Sequence, residues 1–204
     1  MIKKFLQKVF SKREKAAIAI NQADVGATTA NVISAKTHKI DRNLISPAAL
    51  KTCEGLQKAG FQAYIVGGAV RDLLMQYKPK DFDVATNATP EEVYKIFRRS
   101  RIIGKRFRLV HVMWGNETIE VSTFRGHHQN TGDAKTADSG RIIRDNIFGT
   151  IEEDAVRRDF TANALYYDAA TEKVLDFHNG VADLKAKLLR MIGDPVTRYQ
   201  EDPV

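Results

Sequence analysis

The feature that most limits the fold is a short apolar run that stops dead at two glycines. Residues 61–66 read as a strand, Gly67 and Gly68 break it, and residues 69–77 carry a helical pattern. A second strand, residues 81–85, comes at once and contains Asp81-Phe82-Asp83-Val84. A strand turning into a helix through glycines and then back into a strand commits the chain to an α/β layout.

The flanking sequence extends that layout. Ser46-Pro47 reads as an N-cap with proline at the first helical position, and Ala49, Leu50, Cys53, Leu56 and Ala59 form the apolar stripe of a helix ended by Gly60. Thr89-Pro90-Glu91-Glu92 starts another helix, expected to run to Arg99. Residues 101–103, 109–114 and 118–124 read as strands. Residues 126–146 are polar and rich in Gly, Asp, Thr and His, and are expected to form a long loop. Residues 151–164 carry a helical pattern, 169–172 a turn, 174–177 a strand and 184–189 a further helix. The expectation is a small mixed sheet with helices packed on it.

The net charge of +7 suits a polyanionic partner, either nucleic acid or an anionic membrane surface, and on charge alone equally a merely basic soluble protein. The single cysteine, Cys53, excludes an intrachain disulfide and a cysteine metal cluster, and it reads as a small buried apolar side chain in a reducing compartment. No apolar run reaches membrane-spanning length. Residues 1–15 alternate Ile2, Phe5, Leu6, Val9 and Phe10 with six basic residues, a pattern compatible with a basic helix that touches RNA or, weakly, a membrane. Residues 11–38 are dominated by small polar residues, so residues 1–44 are expected to be a disordered basic arm, with the globular part opening near Ile45.

The chemistry centres on Asp81 and Asp83. Alternate residues of a strand project to one side, and two carboxylates held close together repel unless something such as Mg²⁺ offsets the cost. Alone, Asp-x-Asp is more often a solvated strand edge. The glycine turn upstream adds backbone N–H groups suited to phosphate. Arg71 could meet a phosphate oxygen or merely pair with Asp72. Glu120, between Ile119 and Val121, is a candidate third carboxylate or a solvated strand residue. Lys105, Arg106 and Arg108 could bind RNA backbone or form a solvated edge. His111 reads as a core or strand histidine, His127 and His128 as loop residues, and Trp114 and Phe107 as packing residues.

Gly67-Gly68-x-Val70-Arg71-Asp72 followed by Asp81-x-Asp83 resembles the signature of class II tRNA nucleotidyltransferases and bacterial poly(A) polymerases. Arg157-Arg158-Asp159-Phe160-Thr161-x-Asn163-Ala164 agrees with a second block of that family, and Glu201-Asp202 resembles the start of its nucleobase-reading motif. The resemblance covers residues 46–204 and implies a polymerase-β-like palm at 45–195 and the opening of a helical neck at 196–204. Stretches 102–109, 124–128 and 144–149 resemble the polyadenylating branch more than the CCA-adding branch. The resemblance implies AMP transfer from ATP to RNA 3′ ends, with two Mg²⁺ ions on Asp81 and Asp83; Glu120 stays a candidate further ligand on its strand position alone. Gly67, Gly68, Arg71, Asp72, Arg157, Arg158, Asn163, Glu201 and Asp202 would hold the nucleotide, and Asp159 the ribose or the catalytic centre. A monomer in the cytoplasm is expected. CCA addition to tRNA, or a non-catalytic RNA-binding module, are the alternatives. The arginine that completes the nucleobase-reading motif would fall after Val204, so a longer parent chain is expected.

Overall fold

The computed structural model describes residues 29–105, 107–126, 135–136, 142–144 and 147–201. Its centre is an eight-stranded mixed sheet. In chain order the strands are β1 (Asn31–Ile33), β2 (Ala63–Val66), β3 (Asp83–Thr86), β4 (Ser100–Ile103), β5 (Leu109–Trp114), β6 (Glu117–Thr123), β9 (Leu165–Asp168) and β10 (Lys173–Asp176). The strands β7 (Lys135–Thr136) and β8 (Ile142–Arg144) pair separately. The spatial order is β1-β10-β9-β2-β3-β6-β5-β4. Only β3 and β6 run parallel; every other pairing in the large sheet is antiparallel.

The helices are α1 (Ala35–His38), α2 (Pro47–Lys58), α3 (Gly68–Leu74), α4 (Pro90–Ile96), α5 (Ile151–Arg157), α6 (Gly180–Lys185) and α7 (Pro195–Glu201). Ser46 caps α2 by accepting from the Ala48 and Ala49 N–H groups, with Pro47 just inside, as the sequence indicates. Thr89 and Glu92 close a reciprocal capping box on α4. The α2 stripe of Ala49, Cys53 and Leu56 packs on Ile65, Val84, Val110, Ile119 and Val121 from one face of the sheet, forming the main core. Burial pushes the Cys53 thiol up to about 12, which leaves it an apolar filler. Trp114 packs against this core and donates from Nε1 to Thr52 Oγ1 at 2.9 Å.

The opposite face is covered only in part. There Val66, Ala85, Phe124, Ile151, Ala155, Tyr166 and Phe177 form a second, smaller cluster beneath α5. The β6-β5-β4 half of that face lacks a buried cluster among the described residues, and its side chains stay half-exposed.

Several expectations are corrected. The sheet opens at Asn31, not Ile45, because β1 pairs with β10, and β10 supplies the open edge that Val32 and Ile33 need. The strand carrying the carboxylates starts at Asp83; Asp81 and Phe82 precede it. Helix α4 stops at Ile96, since Ser100 already pairs with Val112. The 151–164 pattern is a helix only to Arg157. Arg158 turns to an extended conformation (φ −69°, ψ 159°) and a 3₁₀ turn at Thr161–Asn163 completes the apolar spacing. Strand β9 escapes a pattern reading because Leu165, Tyr166 and Tyr167 are buried on both faces and show no alternation. The helix expected at 184–189 lies at Gly180–Lys185 instead. The polar 126–146 stretch contains the β7–β8 pair, and the rest of it is outside the described residues apart from Gly126.

Asp176 shows how the fold's end is fastened. It is 3% exposed and accepts from the backbone N–H groups of His178 (3.2 Å), Gly180 (2.8 Å) and Val181 (3.0 Å), which stand at the start of α6. Asp176→Ala orphans these donors and is expected to cost about 3 kcal/mol in urea unfolding, while Asp176→Asn, which keeps one acceptor oxygen, loses less.

Candidate active site

The parallel pairing of β3 with β6 sets Asp83 directly beside Glu120. Their side chains share the face opposite the main core, since Val84 and Val121 beside them are buried in it. Asp83 is held above the ordinary carboxylate range: burial is the main cause, and the charges of Glu120 and Asp81 add to it while Arg158 opposes it. Asp81 is exposed and lies just before the strand, close enough for its charge to reach Asp83. Among the described residues no three of these side chains close into a compact metal cluster. The donor set is hard oxygen, and its mutual repulsion is what a divalent cation would relieve, so the residues suit Mg²⁺.

On the β2 side of Asp83 lies the glycine turn. Gly67 sits at φ +72°, where a side chain is strained, and a Cβ there would lie 3.8 Å from Arg158 Nη1 and 4.0 Å from Asp83 Oδ2. The gap between a cation and a carboxylate is therefore kept open by the absence of a side chain. It forms part of a cleft of about 280 Å³ lined by Val66, Asp83, Glu120, Arg125, Arg157 and Arg158. A larger groove of about 520 Å³, between Ile33, Leu74 and Leu184, holds none of these residues.

Arg158 is anchored from behind. Its Nε donates to Tyr166 Oη (2.9 Å) and Asp154 Oδ2 (3.3 Å), and its Nη2 to Asp154 Oδ2 (3.1 Å). Tyr166 Oη in turn donates to the same oxygen at 2.7 Å. Burial alone would push the guanidinium down, but Tyr166 and Asp154 outweigh it and hold Arg158 above its ordinary value. No motif in the sequence singles out Asp154 or Tyr166. The only signal for Asp154 is its spacing of four residues before Arg158 on a helix. Arg157, which lines the same cleft, donates to the Gly126 carbonyl at 3.0 Å.

Arg71, half-buried, pairs within the chain: Nε donates to Asp72 Oδ1 at 2.9 Å and Nη1 to Asn163 Oδ1 at 3.0 Å. Asn163 Nδ2 reaches Asp159 Oδ1 at 3.4 Å, and that oxygen also accepts from the Phe160 N–H at 2.7 Å. The Gly67-Gly68 block and the Arg157-Arg158-Asp159 block are thus stitched together through Arg71 and Asn163. Lys105 is exposed in the turn between β4 and β5. Arg108 pairs with Glu91 at 2.5 Å. Phe107 lies under the Arg125 guanidinium, 4.5 Å from ring centroid to Cζ. Glu201 is the last residue of α7; Arg106, Asp202, His127 and His128 lie outside the described residues.

His111 is on a strand, as expected, yet not in the core. It stands opposite Glu120 on the open face, its side chain 36% exposed, with Nε2 3.5 Å from Glu120 Oε2. Among the described residues no helix is long and apolar enough to cross a membrane.

A strand entering paired glycines, carboxylates on the adjacent strands and a partly buried arginine facing the gap define a nucleotidyltransferase palm. The solved structure of the Bacillus stearothermophilus CCA-adding enzyme in complex with CTP shares this fold, with a TM-score of 0.62 at 33% identity over 78% of this chain and 37% of that one. Poly(A) polymerase I of Escherichia coli O6:H1 is 53% identical over 204 residues, 98% of this chain and 43% of the relative. Poly(A) polymerase I of Haemophilus influenzae is 56% identical over 178 residues, 85% of this chain and 39% of the relative. The profile of the poly A polymerase head domain matches residues 63–190, and the chain belongs to that family. It spans less than half the length of these relatives.

The crowded carboxylate has a measurable signature. Because the folded state raises the Asp83 pKa above its ordinary value of 3.8, the folded chain binds the proton more tightly than the unfolded chain. The resulting penalty is absent below the unfolded pKa and grows as pH rises through the folded one. Asp83→Asn is therefore expected to raise the Tm at neutral pH and to flatten this part of the pH dependence in thermal scans between about pH 4 and 8.

Proposed function

We propose that the chain is the catalytic head of an enzyme that adds AMP from ATP to RNA 3′ ends without a template, releasing pyrophosphate. The observation that carries this reading is the Asp83–Glu120 pair, crowded side by side and bordered by the Gly67–Arg158 gap. The two poly(A) polymerase I relatives support adenylate as the nucleotide.

Asp81, Asp83 and Glu120 would hold Mg²⁺. Bound there, the ions would lower the pKa of the attacking hydroxyl and neutralise charge on the leaving pyrophosphate. The triphosphate enters the gap at Gly67, where Arg158 Nη1 and the backbone N–H groups of the glycine turn receive its oxygens. Arg158 is kept protonated and immobile by Asp154 and Tyr166, so little reorganisation is needed as charge moves onto pyrophosphate. Arg157, in the same cleft, is a second cation for the same phosphates. Arg71 and Asn163 act as braces. They fix the glycine turn relative to Asp159, which we assign to the nucleotide ribose. Asp72 holds the Arg71 fork in place. Glu201 and Asp202 are assigned to the base edge, and Lys105, Arg106 and Arg108 to RNA. The buried thiol of Cys53 suits the reducing cytoplasm.

Primer extension on a generic RNA with each nucleoside triphosphate tests this, using the full-length chain. Long A tails are expected, with Asp81→Ala and Asp83→Ala each losing more than about 100-fold, as removal of a metal ligand should. Arg158→Lys, which keeps the charge but loses the fork, is expected to raise the KM for ATP about tenfold while the RNA KM stays level. Addition of only a few C and A residues to tRNA ends would reassign the chain to CCA synthesis. No incorporation of any nucleotide would overturn the enzyme reading in favour of a binding module.

A further inference from the structure

The register across the open half of the sheet places four chemically graded side chains in one row. Asp83 on β3 faces Glu120 on β6, Glu120 faces His111 on β5, and His111 faces Arg101 on β4. Directly opposed residues share a sheet face, so all four project to the side away from the main core. The row runs from two acids through an imidazole to a permanent cation at the edge strand, and it spans about 14 Å, or three strand spacings. Arg101 is exposed, and among the described residues it has no acidic partner. The nearby arginine Arg108 is by contrast paired with Glu91. The neighbours of the row on this face are Leu109, Ile103, Met113, Thr118 and Ser122, none of them charged. Arg101 thus closes the far end of the row, while Arg125 and Arg157 stand over the row's Leu109 and Ser122 side and Arg99 precedes Arg101 by two residues beside Met113.

The two flanks of the carboxylate pair also differ. On the β2 side the gap at Gly67 is closed in by α5 and by Arg158 with its buried partners. That side is enclosed and strongly cationic, as a triphosphate requires. The β5–β4 side has no described helix above it and ends in Arg101. A strand of RNA needs an open approach and phosphate contacts spaced along it, not an enclosed pocket.

We infer that the RNA 3′ end reaches the carboxylates from the β4 edge, across His111, with Arg101 holding a backbone phosphate upstream of the terminal nucleotide. This rests on the catalytic reading above and adds the direction from which the acceptor arrives and the residue that receives it. The partner is a single-stranded polynucleotide recognised through its backbone, so no base preference is expected at this contact. His111 lies between the phosphate contact and Glu120, where it spaces the backbone from the acids that would repel it.

The test separates binding from catalysis. Full-length wild type, Arg101→Glu, Arg101→Gln and Arg101→Lys are titrated against a fluorescent single-stranded RNA without nucleotide, by anisotropy, at several salt concentrations. Arg101→Gln is expected to weaken RNA binding about tenfold and to reduce the slope of log K against log salt by about 0.7, the loss of one phosphate contact on a single strand. Arg101→Glu is expected to weaken it further and Arg101→Lys to restore most of it. In steady-state extension the RNA KM rises in parallel, while kcat and the ATP KM stay within about twofold of wild type. Unchanged RNA affinity and salt slope in Arg101→Glu would overturn the inference even if the enzyme makes long tails. So would an increase confined to the ATP KM. If no nucleotide is incorporated at all, the catalytic reading fails while the anisotropy series still decides whether Arg101 binds RNA.

Discussion

Everything in the site depends on two carboxylates being placed where electrostatics alone would not put them. The parallel junction of β3 and β6 is the only one of its kind in the large sheet, and it brings Asp83 against Glu120. Strands that succeed one another in sequence usually pair antiparallel; a parallel pair needs a crossover. Here the crossover is α4 with the β4–β5 hairpin, and both are packed on the main core through Val93, Val110 and Val112. The apolar burial of Val84 and Val121 on one side of the strands therefore fixes the acids on the other. Burial of the hydrophobic core outweighs the repulsion, and the residual repulsion is the binding energy offered to a cation.

The same logic governs Arg158. A guanidinium taken out of water is costly unless its donors are met, and one carboxylate rarely suffices. Asp154 and Tyr166 meet Nε and Nη2 together, and the phenol and carboxylate also bond to each other at 2.7 Å. Tyr166 comes from β9 and Asp154 from α5, so the anchor joins the sheet to the helix on its partly covered face. The break in the helix at Arg158 matters as well. A continued helix would carry the next residues away from the cleft, whereas the extended turn and the 3₁₀ segment bring Asp159 and Asn163 back towards Arg71.

Parts of this are legible in the sequence for physical reasons. The caps at Ser46 and Thr89 are local chemistry and read correctly, because the bonds involved reach only two or three residues along the chain. The glycine break and the Asp81-x-Asp83 spacing mark the site. Strands β1 and β9 escape detection for opposite reasons. β1 is three residues long, and its stability comes from β10, more than a hundred residues away; β9 is buried on both faces and lacks an alternating pattern. The position of His111 is hidden because strand membership is visible in the sequence but strand neighbours are not. Alternation decides which face a strand residue occupies; only register decides which residue it meets. Arg71 shows the converse. Both of its readings are open in the sequence, and the distances to Asp72 and Asn163 show the internal pairing on a side chain that keeps 38% of its surface exposed.

The end of the described chain is tied back into this arrangement. Arg198 on α7 donates from Nε to the Ile192 carbonyl at 3.0 Å and from Nη2 to the Val156 carbonyl at 2.5 Å. Val156 immediately precedes Arg157 and Arg158, at a point where the last turn of α5 leaves carbonyls without helical partners. A cation at a helix C-terminus is favoured by the dipole as well as by the hydrogen bond. The helix that carries Glu201 is therefore fastened to the residue next to the Arg157–Arg158 pair. Any nucleotide contact made from α7 is referenced to the same rigid point as the contacts made by Arg158. A shift at one would be felt at the other through two hydrogen bonds and one turn of helix.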